Sequence, residues 1–527
     1  MISSLRASLR HLSLDPLPDE DGATARGVDL SAERRSSWML AVALVATTMP
    51  LWLVRWLPMV DLPQHASQVA TWHAWVDGTF AWTALWEVNF RTPYLLSRSL
   101  AFLLSHAVDL LDAYRILVSL AIVALPLAAL LLLRTIGGAP SWALAVVPLG
   151  YGYAFDWGFV AYSLAVPLGL LHLALAWRQA RCFTWSRAVG LWIATQALFF
   201  AHVFVFGWAG LTAAAVLGLR ARGWRALSRA WAPLLAALPL PLWWILTTAE
   251  TDREVLGGPV FGGGWLRLPQ AFSLQVGREL PTMTSLAVGL ALFTLPLLLG
   301  GRPSRDLVRW APFIITLILF LATPESAFGT GFIYPRFAVF LLPAWLMTLV
   351  PTRQPRLHQG WLLGLVLVLA VDVGWRLRGF DREVGDFDRV VEAVAPETRI
   401  LYLPVDPGSA WSDNAVYLHF GQWLQVERGA LVDFSFGEFF PNLFRYRQGA
   451  DPPLPNNVEW MPWAFDYRRH GGMLYDYFLV RAPRDPTGLL FSDVLTEIRP
   501  VRQVDGGWWL YARRGGRGDP AAGADDG

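Results

Sequence analysis

The chain has 527 residues, of which 54% are hydrophobic and only 16% charged, and its formal net charge is +2. A water-soluble domain of this length carries far more polar surface, so composition excludes a wholly soluble protein. The near-zero charge says little about partners, and nothing points to nucleic acid. All 43 basic residues are arginine, and the one cysteine, Cys182, excludes an intramolecular disulfide, so an exported domain must hold together by packing.

Residues 1–36 are polar, mixed in charge and poor in aromatics, the pattern of a disordered leader. Apolar runs of about 20 residues then recur from residue 38 to residue 375 and stop. The first run ends in Thr47-Thr48-Met49-Pro50, without a small-x-small cleavage site, and reads as an uncleaved anchor. Eleven spans are expected, near 37–57, 114–134, 141–154, 158–177, 188–201, 203–220, 231–248, 283–300, 310–323, 336–350 and 361–376.

Arg34 and Arg35 precede the first span and favour a cytoplasmic N-terminus. The loops that fall on the same side carry Arg134, Arg178, Arg181, Arg187, Arg220, Arg222, Arg225, Arg229, Arg302, Arg305, Arg309, Arg353 and Arg356. The opposite loops hold the acids Asp61, Asp77, Glu87, Asp109, Asp112, Asp156, Glu250, Asp252, Glu254, Glu279 and Glu325. An odd number of spans puts the C-terminus outside, and the chain in the cytoplasmic (inner) membrane.

The first external loop, 58–113, is too long for a connector. Its segments Gln64–Val76 and Tyr94–Val108 have helical apolar spacing and read as helices lying in the interface plane, with Trp72, Trp75, Trp82 and Trp86 as an interfacial belt. The external loop 249–282 is glycine-rich, which suits closure over a ligand or a plain linker. From residue 377 to 513 the pattern becomes that of a small α/β domain, with a helix at Phe387–Val394, strands at Arg399–Pro404 and Asp476–Arg481, and a Val504–Gly507 hairpin turn before Trp508–Ala512. The tail 514–527 is Gly/Ala/Asp-rich and reads as disordered.

The chemistry-bearing residues cluster outside. Asp61 and His65 stand four residues apart where the first span ends, on one face if that segment is helical. A carboxylate there can serve as a general base or a metal ligand; taken alone it reads as a solvated charge ending a helix. Asp156 lies in the short loop Tyr153–Gly158, and His202 in a tight turn between two apolar runs, where it either lines a cavity or is an ordinary hydrogen-bonded residue. Arg91 and Arg336 each neighbour a proline at an external boundary, suited to phosphate or to headgroup pairing and snorkelling.

The order Asp61, then Asn89–Leu96, then Asp112-Ala113-Tyr114-Arg115, then a span ending Leu133–Gly138, with Tyr334-Pro335-Arg336-Phe337 later, resembles the GT-C superfamily of membrane glycosyltransferases, particularly its protein mannosyltransferase and aminoarabinose transferase branches. The resemblance implies a helical polytopic fold over about 37–376 and an extracytoplasmic site using a polyprenyl-phosphate sugar. It implies Asp61 as catalytic or metal-linked acid, Asp156 as a second acid, Arg91 and Arg336 on the donor phosphate, and His65 and His202 near the substrate. The chain departs from the pattern in having Asp61-Leu62-Pro63 where many members carry paired acids, so a divalent metal at Asp61 and Asp156 stays open.

The leading expectation is therefore transfer of a sugar from polyprenyl phosphate to an extracytoplasmic acceptor. A second is a non-catalytic scaffold of the same architecture that binds lipid-linked glycans. A transporter comes third, because ionisable residues are scarce within the spans.

Overall fold

The computed structural model describes residues 30–249, 258–277, 281–327, 329–352, 359–439, 441–447, 449–450 and 458–517. The leader up to residue 29, the acids Glu250, Asp252, Glu254 and Glu279, the arginines Arg353 and Arg356, and the tail beyond 517 lie outside the described residues.

The chain is mostly helical. The principal helices are α1 (Leu30–Thr48), α2 (Leu62–Val76), α3 (Leu95–Leu104), α4 (Leu110–Ile136), α5 (Val160–Arg181), α6 (Trp185–Ala201), α7 (Val203–Arg220), α8 (Trp224–Leu235), α9 (Pro239–Ala249), α10 (Met283–Leu298), α11 (Leu307–Ala322), α12 (Ile333–Arg336), α13 (Ala338–Met347) and α14 (Gln359–Val384). Each of the eleven expected spans coincides with one or more helical elements. Among the described residues five helical stretches can by length and composition cross a membrane, Arg34–Leu53, Leu110–Ile136, Val160–Arg181, Val203–Arg220 and Gly360–Ala393. Bent by 47°, α8 and α9 make a sixth if taken together. Pro239 opens α9 at the break and cannot donate to the preceding turn, which accounts for the bend. The chain is a multi-pass membrane protein.

The segment expected as a span at 141–154 is instead a 12-residue 3-10 helix, Pro140–Tyr151, with Pro148 inside it. Ten of its residues are buried in the middle of the bundle.

Among the described residues the strands are β1 (Trp86–Val88), β2 (Gly301–Pro303), β3 (Leu349–Pro351), β4 (Arg399–Pro404), β5 (Leu431–Val432), β6 (Phe444–Tyr446), β7 (Tyr477–Arg481), β8 (Ile498–Val504) and β9 (Trp508–Arg513). Five of them form one sheet in the order β5-β4-β7-β9-β8, with β4 parallel to β5 and β7, and β9 antiparallel to β7 and β8. β7 is buried throughout and β4 in all but its first residue, as expected for central strands covered on both faces. The β8–β9 turn needs glycine: Gly506 has φ +89°, and a Cβ there would run into the carbonyl of Val384.

The expected interfacial helix Gln64–Val76 is an internal one. Its face Gln64, Gln68 and Thr71 docks on the C-terminal region: the Gln64 amide donates to the Phe434 carbonyl (3.3 Å) and accepts from the Phe436 amide (3.0 Å). Gln68 does the same with the carbonyl (3.1 Å) and amide (2.8 Å) of Phe444. β1 of the first loop pairs antiparallel with β6, so residues 431–446 clasp the 58–113 loop from outside. Two side chains with both a donor and an acceptor, one turn apart, satisfy buried backbone where a sheet edge cannot.

Candidate active site

The end of the first span is fixed from two directions. Asp381 accepts the amides of Arg55 and Trp56, both at 2.8 Å, and Arg115, the basic residue opening α4, donates to the carbonyls of Val54 (2.8 Å) and Arg55 (3.0 Å). These contacts set where Asp61 emerges. Its amide donates to the Trp157 carbonyl (3.0 Å), and the Val60 amide to the Asp156 carbonyl (3.2 Å). Gly158 makes this approach possible: with φ +77°, a Cβ there would lie 2.8 Å from the Asp61 nitrogen.

Asp61 opens into a cavity of about 250 Å³ bounded by α2, α3, the 157–162 segment, His202, α12 and, from the C-terminal region, His419, residues 434–439, Asn442 and Trp460. Of the expected residues, Asp61, His65, His202 and Arg336 line it. Asp156 does not; its carboxylate is buried against Gly277, and it serves Asp61 through its backbone. Arg91 is exposed outside the cavity, its guanidinium carbon 6.0 Å from the Trp243 ring centre. Arg91 lies on non-helical chain before α3, and Arg98, in the first turn of α3, takes the inner position.

Arg98 is 3% exposed. It donates to Oδ1 of Asn442, while its Nε and Nη1 are buried with no partner among the described residues. Arg336 stands over the rings of Phe159 (4.5 Å) and Phe204 (5.0 Å), and its Nε is likewise unpartnered. Buried guanidinium donors are costly to leave unsatisfied, and two of them at one cavity have the chemistry that suits an anion.

From the C-terminal region comes His419, whose Nε2 lies 3.8 Å from Oδ1 of Asp61 and whose Nδ1 is 2.6 Å from Oε1 of Glu459. His419 stacks on Phe434 (5.1 Å between ring centres) and meets Phe436 and Trp460 edge-on. Neither His419 nor Glu459 stood out in the sequence. A histidine in an aromatic run, Tyr417-Leu418-His419-Phe420, was the only signal, and it is common in cores. Arg98 had a better one, as the sole charge in the apolar helix α3.

Burial controls the electrostatics. Asp61 is pushed up from the usual carboxylate range to about 6, chiefly by burial, with His419 and Arg336 pulling the other way. His65 falls to about 3 through burial and the neighbouring Arg98, and His419 to about 4 through burial. Burial raises Glu459 well above its ordinary value. A carboxylate near 6 in a wall of neutral imidazoles is poised to take a proton.

Among the described residues no group of three or more His, Cys, Asp or Glu could hold a metal ion, and the Asp156 residue does not line the cavity that Asp61 does. A larger groove of about 540 Å³ runs beside α14; its charged groups, Asp372 and Arg376, pair with each other at 3.0 Å.

No protein-family model matches the sequence, and no curated protein matches it. Solved structures do. ArnT from Cupriavidus metallidurans bound to undecaprenyl phosphate superposes with a TM-score of 0.51 at 13% identity, covering 91% of this chain and 98% of that one. The arabinofuranosyltransferase AftD from Mycobacteria gives 0.50 at 16% identity over 91% of this chain, which spans 40% of AftD. At such identity the likeness is one of fold: the chain has the GT-C-like membrane glycosyltransferase fold.

Proposed function

We propose that the protein transfers a sugar from a polyprenyl phosphate to an extracytoplasmic acceptor. It would do so from the cytoplasmic (inner) membrane, crossed several times, with its N-terminus inside and its C-terminal domain outside. The observation that carries this reading is the meeting, in one cavity, of a carboxylate raised toward neutrality and two guanidinium groups with unpartnered buried donors. The undecaprenyl phosphate bound to the structural neighbour ArnT supports a lipid-phosphate donor.

In the proposed reaction the bond between the anomeric carbon and the phosphate oxygen breaks, and its electron pair stays on the phosphate. Arg98 and Arg336 stabilise that charge. The acceptor oxygen bonds to the anomeric carbon while its proton passes to Asp61. Aromatic walls from Trp157, Phe159, Phe434 and Phe436 exclude water from the departing phosphate.

The test is release of undecaprenyl phosphate from a radiolabelled undecaprenyl-phosphate sugar by purified protein in nanodiscs, with envelope extract as acceptor. Asp61→Asn is expected to lower turnover by about a hundredfold or more while the protein still binds the donor. Normal turnover in that variant overturns the reading, and donor binding without turnover in the wild type favours the non-catalytic scaffold.

A further inference from the structure

Glu459 is 3% exposed, and its one ion-pair partner among the described residues is His419. Its second oxygen, Oε2, is buried and meets no donor. An ionised carboxylate accepts at both oxygens, and burying one with a single neighbour leaves most of its charge uncompensated. Nor does the surrounding region favour an imidazolium. Phe434 covers one face of His419, Phe436 and Trp460 stand at its edge, and Arg336 and His65 lie nearby without a carboxylate of their own besides Asp61. Both members of the pair are therefore neutral, which fixes the hydrogen between them. It sits on Glu459 and points to Nδ1, so the ring hydrogen of His419 must sit on Nε2, the atom 3.8 Å from Asp61.

We propose that Glu459 is an uncharged acid that donates its proton to Nδ1 of His419, and that this holds the Nε2–H of His419 toward Asp61 as a positioning donor supplied by the C-terminal region. The arrangement reverses the familiar serine-hydrolase triad, in which an ionised carboxylate accepts from the imidazole. The reversal has a use. At 3.8 Å the Nε2–H faces one oxygen of the Asp61 carboxylate from just beyond hydrogen-bond distance and leaves the other for the acceptor's proton, and it adds no second positive charge to that of Arg336. The groups facing the pair are Asp61 and His65 from the start of α2, Arg336 from α12, and Tyr402 and Glu438 from the C-terminal region.

The kinetic consequence rests on the glycosyl-transfer reading; the protonation pattern does not. The experiment uses full-length protein in nanodiscs, with infrared difference spectra of wild type against Glu459→Gln and against Asp61→Asn. The wild type is expected to show a protonated carboxylic-acid carbonyl band at pH 8 that Glu459→Gln removes, and loss of a carboxylate band in its place overturns the proposal. The double variant His419→Phe plus Glu459→Leu replaces both buried partners by apolar groups of similar size and so preserves the fold. In it the Asp61 titration midpoint is expected to rise by about one unit, because the ionised form loses its donor; an unmoved midpoint overturns the proposal.

Turnover of an undecaprenyl-phosphate sugar adds the last arm. Glu459→Gln, whose amide N–H donates to Nδ1 as the acid does, is expected to stay within about threefold of wild type, and the double variant to lose about a hundredfold in kcat with little change in KM. A crippled Glu459→Gln marks an ionised Glu459 and sinks the idea. A wild type that transfers no sugar sinks the glycosyl-transfer reading instead, and the infrared arms still decide the dyad.

Discussion

The Arg98 guanidinium donates to Oδ1 of Asn442, a residue whose own amide is held by the carbonyl of Phe436 at 2.7 Å. Asn442 thus occupies one edge of the guanidinium and leaves Nε and Nη1 for something else. Arg98→Ala is expected to weaken binding of undecaprenyl phosphate at least tenfold, about the 1.5–3 kcal/mol of a hydrogen bond to a charged group. Asn442→Ala keeps the charge and is expected to cost less. Equal affinity in Arg98→Ala and wild type would remove Arg98 from the phosphate site, and Arg91→Ala serves as the comparison, with little loss expected from its exposed position.

Asp61 must be ionised to act as a base, and burial raises it to about 6. The kcat/KM of transfer is therefore expected to climb as pH rises through about 6 and to level off above 7. A rise centred near the ordinary carboxylate value of 3.8 would mean that Asp61 is solvated and is not the base.

The same shift affects stability. Folding favours the protonated form of Asp61, so its contribution is full below the unfolded value of 3.8 and is lost as pH rises through about 6. Asp61→Asn cannot ionise and is expected to melt higher than wild type at pH 8, by an amount on the order of 2–3 kcal/mol at most, and alike at pH 4. A lower melting temperature for the variant at pH 8 would contradict a strained Asp61.

Asp156 serves the site through its carbonyl and its turn, not through a carboxylate in the cavity. Asp156→Asn is accordingly expected to retain more than about a tenth of wild-type turnover, unlike Asp61→Asn. Gly158→Ala, by contrast, puts a Cβ 2.8 Å from the Asp61 nitrogen and is expected to abolish transfer and lower the melting temperature. Unchanged activity in Gly158→Ala would show that the turn yields without moving Asp61.

Gln68 satisfies both backbone groups of Phe444. Gln68→Leu strands a buried amide and a buried carbonyl and is expected to cost on the order of 3 kcal/mol, loosening residues 431–446 from the first loop. Hydrogen exchange at Phe444 measures this directly; unchanged protection would mean that β1–β6 pairing alone holds the clasp.

Hydropathy is a local property, and what depends on it was legible in the sequence. The apolar runs fall on helical elements, although among the described residues only five or six helical stretches are long and apolar enough to cross a membrane, and β4, β7 and the β8–β9 turn fall where the apolar runs and glycines put them. Asp61 was identifiable because it ends an apolar run. The segment 141–154 was apolar enough for a span but became an enclosed 3-10 helix, since an apolar run is equally at home against lipid and against protein. The surroundings of Asp61 were decided only by tertiary structure. Arg98 rather than Arg91 faces the cavity because α3 begins between them, the Asp156 backbone is committed to Val60, and His419 arrives on a turn and Glu459 on the three-residue 3-10 helix Val458–Trp460, both too short to show a period. A site built from distant segments is specified by how their buried polar groups satisfy one another, and that pairing exists only once the chain is packed.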